Sequence, residues 1–268
     1  MNNLSQRGFM RFLFLLYGVT CYLIAFATIL YFIGFVGNFV VPKSMDSGTS
    51  GPLLEAIIIN LLLISVFAIQ HSVMARKGFK KAWAKIIPKA IERTTYVLFS
   101  SLALILLYWQ WRPMGDVVWD VSGTTLGNML IALSLLGWLI VLISTFLLDH
   151  FEFLGLKQAM LNLHEHEHEL PKAQLRTPGL YKIVRHPLYL GFTIAFWATP
   201  IMTTAHLLFA VATLSYTLIG MLLEEHDLTA EFGEEYKVYK SKVSMLLPLK
   251  FGGHGSTNPP KDPPKPQC

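Results

Sequence analysis

The chain has 268 residues, 53% of them hydrophobic and only 15% charged, and its mean hydropathy is +0.47. An average globular domain carries about 25% charged residues, so this balance excludes a disordered chain, a disulfide-stapled secreted domain and an ordinary cytosolic enzyme. The formal net charge of +5 comes from basic residues set between apolar blocks. That is the pattern of a membrane protein and does not call for nucleic acid as a partner.

A helix that spans the hydrocarbon layer needs about 20 mostly apolar residues. Residues 12–36 form the first such stretch and contain Cys21; the other cysteine, Cys268, is the last residue, so no disulfide framework or CxxC site exists. The first stretch is too long for a cleavable signal peptide and lacks a small-residue cleavage site. A polar loop, 37–52, leads to the second span, 53–71. Residues 72–93 carry Arg76, Lys77, Lys80, Lys81, Lys85 and Lys89 among Phe79, Trp83, Ile86 and Ile87. This reads as an amphipathic helix lying on anionic headgroups. Spans 94–111 and 126–150 follow, then a hydrophilic loop, 151–187. Residues 188–202 are apolar but short, and Pro200 stops regular helix there; they form either a tilted span or one arm of a hairpin. Residues 205–223 are the last span, and 251–268, rich in Gly, Pro and Lys, are expected to be disordered.

The basic residues orient this arrangement. With both termini in the cytoplasm, only Lys43 and Arg112 of the 22 Lys and Arg lie outside, as the positive-inside rule demands. The expected fold is therefore all-α: a polytopic membrane bundle over 1–250, with five long spans, one short Pro-containing segment and both termini cytoplasmic. There is no internal repeat of the kind that marks many transporters.

No GxGxxG, GxxxxGK[ST] or HExxH occurs, so a cofactor site must be built some other way. Ionisable groups at the membrane boundary are costly unless paired or used, and three clusters stand there. The first runs from Thr177 to Gly191. Pro178-Gly179 make a turn, Tyr181 follows, and Pro187 suits the first turn of a helix. Arg185, His186 and Tyr189 then surround a helix N-terminus, which favours a carboxylate or phosphate. Taken singly, Arg185 could equally snorkel and Tyr189 could belong to an interfacial belt. The second cluster is Glu224-Glu225-His226-Asp227-Leu228. Adjacent carboxylates at a helix C-terminus oppose its dipole and need a cation, such as an amino group or a sulfonium; a solvated acidic cap is the plainer alternative. The third is Phe232-Gly233-Glu234-Glu235-Tyr236-Lys237-Val238-Tyr239, whose two tyrosines share a helix face.

In this order and spacing, the three clusters resemble the C-terminal signature of the isoprenylcysteine carboxyl methyltransferase and phospholipid methyltransferase superfamily, over about 177–248. Val243-Ser244 departs from the usual Val-Pro after the tyrosines. Gln70-His71-Ser72, Glu92-Arg93-Thr94, Trp109-Gln110-Trp111-Arg112-Pro113 and Asp149-His150-Phe151-Glu152 resemble the nurim-like branch. Within it, they are most similar to the bacterial methanethiol S-methyltransferases. The resemblance implies S-adenosylmethionine (SAM) as methyl donor. It points to a cofactor site of Gly179, Tyr181, Arg185, His186, Tyr189, Gly191, Glu224, Glu225, Tyr236 and Tyr239 at the cytoplasmic face of a multi-pass protein, in a bacterial inner membrane. It further implies transfer to methanethiol. The alternatives are methylation of a lipid or prenylcysteine carboxylate by the same module, and a non-catalytic nurim-like membrane protein.

A thiol with a pKa of about 8.5 is mostly protonated at neutral pH, so a base or thiolate-stabilising donor is expected near the methyl group. His150, beside Asp149, is the leading candidate and His186 the second; His71, at the end of its span, either faces the site or satisfies a neighbouring carbonyl. Beyond the thiol and the bilayer, no obligate protein partner is implied.

His164, His166 and His168 alternate with Glu165, Glu167 and Glu169. Such residues can ligate a metal, but the run lies in a hydrophilic loop and methyl transfer from SAM needs none. Exhaustive chelation, or replacement of the three histidines by Gln, is therefore expected to leave turnover intact; loss of activity restored by one added divalent metal contradicts this.

Overall fold

The computed structural model describes residues 3–163 and 175–248; the 164–169 run and the 251–268 tail lie outside the described residues. Helix α1 (Asn3–Gly37) is followed by α2 (Leu53–Ala75), the short α3 (Lys77–Trp83) and α4 (Lys89–Gln110). Strand β1 (Val117–Asp120), α5 (Thr125–Leu147), α6 (His150–Phe153) and α7 (Leu156–Leu163) come next. The last part holds α8 (Pro187–Trp197), β2 (Ile201–Thr203), α9 (Thr204–Phe232) and α10 (Glu234–Lys242). Five of these helices, α1, α2, α4, α5 and α9, are long and apolar enough to cross a membrane. Exposed Leu, Ile, Val and Phe run along all five, as a lipid-facing surface requires.

Helix boundaries follow local chemistry. Pro52 and Pro88 precede α2 and α4, where a missing N–H costs nothing. Thr124 caps α5 by accepting from the Gly127 amide at 3.1 Å, and Thr203 caps α9 by accepting from the His206 amide at 3.1 Å. Helix α4 packs on α1 and α2, α5 packs on α8, and α9 lies against both α2 and α8. The core at the end distant from α3 is aromatic: Phe35, Tyr108, Trp111, Trp138, Phe196 and Phe209 interlock there.

The segment around Pro200 crosses the bundle as a broken span. Helix α8 has only 11 residues, about 16 Å of helix, and runs antiparallel to α5. Their backbones meet where both chains have glycine: a Cβ at Gly137 falls 2.6 Å from the Ala195 nitrogen, and one at Gly191 falls 2.7 Å from the Gly137 oxygen. After Trp197 the chain continues extended into β2, which pairs antiparallel with β1 in the loop between α4 and α5. The segment thus reaches the opposite end of the bundle instead of turning back.

Breaking a helix at this depth exposes four carbonyls, which lipid cannot satisfy. All four have donors. The Ala198 and Thr199 amides donate to Ile194 and Trp197 at 3.0 and 3.1 Å. Ser134 Oγ donates to Ala195 at 3.0 Å, and His206 Nε2 to Phe196 at 2.7 Å. Beyond the helix, Trp119 Nε1 donates to Thr199 at 3.1 Å and the Val121 amide to Pro200 at 2.9 Å. His206, buried in this arrangement, is thereby a structural residue. Replacing it with Leu keeps the bulk and orphans the Phe196 carbonyl, an expected loss of about 1–3 kcal/mol; a thermal melt in detergent indistinguishable from wild type contradicts this account.

Candidate active site

The three clusters read from the sequence converge at the end of the bundle that carries α3. A 3₁₀ turn, Gly179–Lys182, opens the module. Gly179 has φ +51°, and a Cβ there would lie 3.1 Å from Leu147, so glycine serves both the turn and its seat on α5. Helix α8 then starts at Pro187 with no side-chain cap. The amides of Leu188 and Tyr189 in its first turn therefore remain available to an anion.

Arg185 is almost fully buried, and its whole donor fork is used within the protein. Nε donates to Glu225 Oε1 at 2.7 Å and Nη2 lies 2.6 Å from the same oxygen. Nη1 donates to the carbonyls of Lys240, at 3.1 Å, and Val243. The Arg185 and His186 amides donate to Ser244 and Met245 at 2.8 and 3.2 Å. Glu225 also receives Lys240 Nζ at 2.8 Å and His186 Nε2 at 3.3 Å. One buried carboxylate thus ties the start of α8, the C-terminal part of α9 and the segment after α10 into a single unit. The cation that the acidic pair demands is supplied to Glu225 from inside the chain.

Glu224 differs. Its side chain is 46% exposed, its nearest basic atom is His186 Nδ1 at 3.6 Å, and no Lys or Arg among the described residues pairs with it. Tyr189, whose ring lies 5.6 Å from that of His186, interacts electrostatically with the Glu224 carboxylate. Burial lowers the pKa of His186 from its usual range, against the opposing pull of Glu225. Tyr239 donates to the Tyr181 carbonyl at 2.6 Å, and its ring lies 5.8 Å from that of Tyr236. Burial raises the Tyr181 phenol, with Glu224 adding to the effect. It pushes Tyr236 and Tyr239 up to about 12. The site therefore presents neutral phenols, one carboxylate with no Lys or Arg partner among the described residues, and an uncapped helix start. Gly191 stands two residues further in, at the α5–α8 crossing, where its missing side chain serves packing.

Asp149 and His150 lie apart from this unit. Asp149, at φ +77°, caps α6 by accepting from the Glu152 amide at 3.1 Å, and Lys157 Nζ lies 2.5 Å from its other oxygen. That hydrogen bond lowers the Asp149 pKa. The His150 ring stacks on Phe146, with Nδ1 3.1 Å from Thr145 Oγ1 and Nε2 3.3 Å from the Tyr22 hydroxyl. Among the described residues no carboxylate bonds to the His150 ring nitrogens, so Asp149 orients the helix start and not the ring. A second group, His71, Tyr96, Ser72 and Tyr216, is brought together from three different helices; of it, the Gln70-His71-Ser72 motif marks His71 and Ser72 in the sequence. Among the described residues no group of side chains is arranged to hold a metal ion.

Residues 124–235 match the phospholipid methyltransferase family. The bundle with its C-terminal module is thus a multi-pass membrane enzyme of the methyltransferase class. Over 90% of its length, the chain is 53% identical to methanethiol S-methyltransferase 1 of Bradyrhizobium diazoefficiens, covering 84% of that protein. It is 48% identical to the methanethiol S-methyltransferase of Mycobacterium tuberculosis, with 89% and 97% of the two chains covered. Mouse nurim is 28% identical over 66% of this chain and 69% of its own. The chain belongs to the methanethiol S-methyltransferase family. No solved structure matches it.

The two glutamates should separate experimentally. Glu225→Gln removes the charge opposite buried Arg185, a class of change that costs about 3–5 kcal/mol, and should lower the melting temperature sharply. Glu224→Gln, half in solvent, should melt like the wild type. Equal melting of both variants contradicts the assignment of Glu225 as the internal tie.

Proposed function

We propose that this chain transfers the methyl group of SAM to methanethiol, releasing dimethyl sulfide and S-adenosylhomocysteine. The observation that carries the reading is Glu224: a carboxylate with no Lys or Arg partner among the described residues, set beside an uncapped helix start, in a chain about half identical to proteins named for this reaction. SAM brings an electrophilic methyl on a sulfonium, together with an ammonium and a carboxylate. Glu224 holds the ammonium, the first-turn amides of α8 take the carboxylate, and Tyr181, Tyr189, Tyr236 and Tyr239 wall the site against water. Arg185, Glu225, His186 and Gly179 position these groups. Neutral phenols suit a sulfonium because an aromatic face attracts a cation without adding a charge.

A site at this end of the bundle opens to the cytoplasm if the Lys/Arg-rich loops stay inside, which fits a cofactor made there, in a bacterial inner membrane. The much higher identity to the thiol methyltransferases than to nurim favours the enzyme over a scaffold. It likewise favours a small thiol over a lipid or prenylcysteine carboxylate.

Purified protein given SAM and methanethiol should release dimethyl sulfide into the headspace. Folded Glu224→Gln should bind SAM more weakly by about 1.5–3 kcal/mol, the value of a hydrogen bond to a charged group. Product absent from the wild type, or unchanged affinity in the variant, contradicts the proposal.

A further inference from the structure

Next to the cofactor module, α2, α4 and α9 bring together polar side chains that hydrogen-bond to one another and that SAM binding does not use. The Tyr96 hydroxyl lies 2.9 Å from both ring nitrogens of His71. Ser100 Oγ is 3.2 Å from His71 Nδ1 and donates its own hydrogen to the Tyr96 carbonyl at 3.1 Å. That oxygen can then only accept from Nδ1–H, which leaves the Nε2 lone pair toward Tyr96. The Arg93 guanidinium stands 5.0 Å from the centre of the Tyr96 ring. The Ser72 hydroxyl is 3.1 Å from that of Tyr216. Phe67 covers the other side, with its ring 5.3 Å from His71 and 6.5 Å from Tyr216.

This cluster adjoins the cofactor module through Tyr189, whose ring lies 5.6 Å from that of His186 and which interacts electrostatically with Glu224, Tyr216 and Tyr96. His150 faces Tyr22 and Thr145. Polar and ionisable side chains gathered among spanning helices are costly unless they serve a purpose. No carboxylate bonds to His71 among the described residues, so the cluster is not a structural ion pair.

Resting on the thiol-methyltransferase reading above, we infer that the small thiol binds against Tyr96 and His71, between α2, α4, α8 and α9, and that this pair takes its proton. The thiol S–H proton passes to Tyr96 Oη as the Tyr96 proton moves to His71 Nε2. The sulfur lone pair forms the new S–CH₃ bond, the methyl–sulfonium bond breaks, and its electrons remain on the departing thioether sulfur. The proton is then released from His71. Arg93 favours the anionic sulfur; the other titratable groups facing the pair are Tyr216 on α9 and Tyr189 on α8, with Glu224 behind them.

The test uses the full chain in lipid nanodiscs, with SAM and methanethiol, read by headspace dimethyl sulfide from pH 7 to 9.5. Tyr96→Phe and His71→Gln, both near-isosteric, should lower kcat at pH 7 by about 10²–10⁴-fold, as loss of a general base does. SAM affinity should stay within about twofold. The deficit should shrink by about tenfold or more toward pH 9.5, as thiolate from solution replaces the missing relay. A deficit independent of pH is what a structural role produces and overturns the inference. So does wild-type turnover in both variants while His150→Ala loses it. A wild-type enzyme that binds SAM but makes no dimethyl sulfide overturns the underlying reading and this inference with it. That result is told apart from failure of the relay alone, in which the wild type turns over.

Discussion

The Arg185–Glu225 contact is the constraint on which the functional end of the molecule depends. Its two side chains are removed from water, where an unmatched charge is prohibitively costly, so every donor of the guanidinium must find an acceptor. It finds them on three separate pieces of chain: the C-terminal part of α9, the last turn of α10 and the segment that follows it at Val243. Lys240 and His186 complete the shell around the carboxylate. The helix start, the tyrosines of α10 and Glu224 keep their relative positions because the residues beside them are held in this way.

The same rule, that buried polar groups must be matched, explains the broken span. Helix α8 stops halfway and the chain crosses the rest of the bundle extended, an arrangement that lipid tolerates only where protein supplies each hydrogen bond. Ser134, His206 and Trp119 are those suppliers, and the α5–α8 glycines bring the backbones close enough for Ser134 to reach. The short helix starts at the level of the acidic pair, which sets its first-turn amides beside Glu224.

Chemically, the site separates two demands. In the proposed reaction, the charge of the methyl donor is held by Glu224 and the first-turn amides at the edge of the bundle, where water moderates its cost. Thiol activation is assigned deeper, to neutral hydroxyl and imidazole groups between spanning helices. Tyr189 joins the two layers, since it interacts electrostatically with both Glu224 and Tyr96.

The sequence by itself determined the membrane class, the five long spans and the three clusters of the C-terminal module, because apolar length and motif order are local properties of the chain. It also located the break at Pro200, since a proline interrupts helix wherever it stands. Only the tertiary structure decided whether that segment crosses or turns back, because the answer lies in β1, more than eighty residues earlier in the chain. Only it distinguished Glu224 from Glu225: neighbours in sequence point in different directions on a helix, and one meets Arg185 and Lys240 while the other faces outward. The pairing of Asp149 with Lys157, and of His71 with Tyr96, was likewise illegible. Each histidine reads the same in a string of letters, and its chemistry is set by the partner that another helix brings to it.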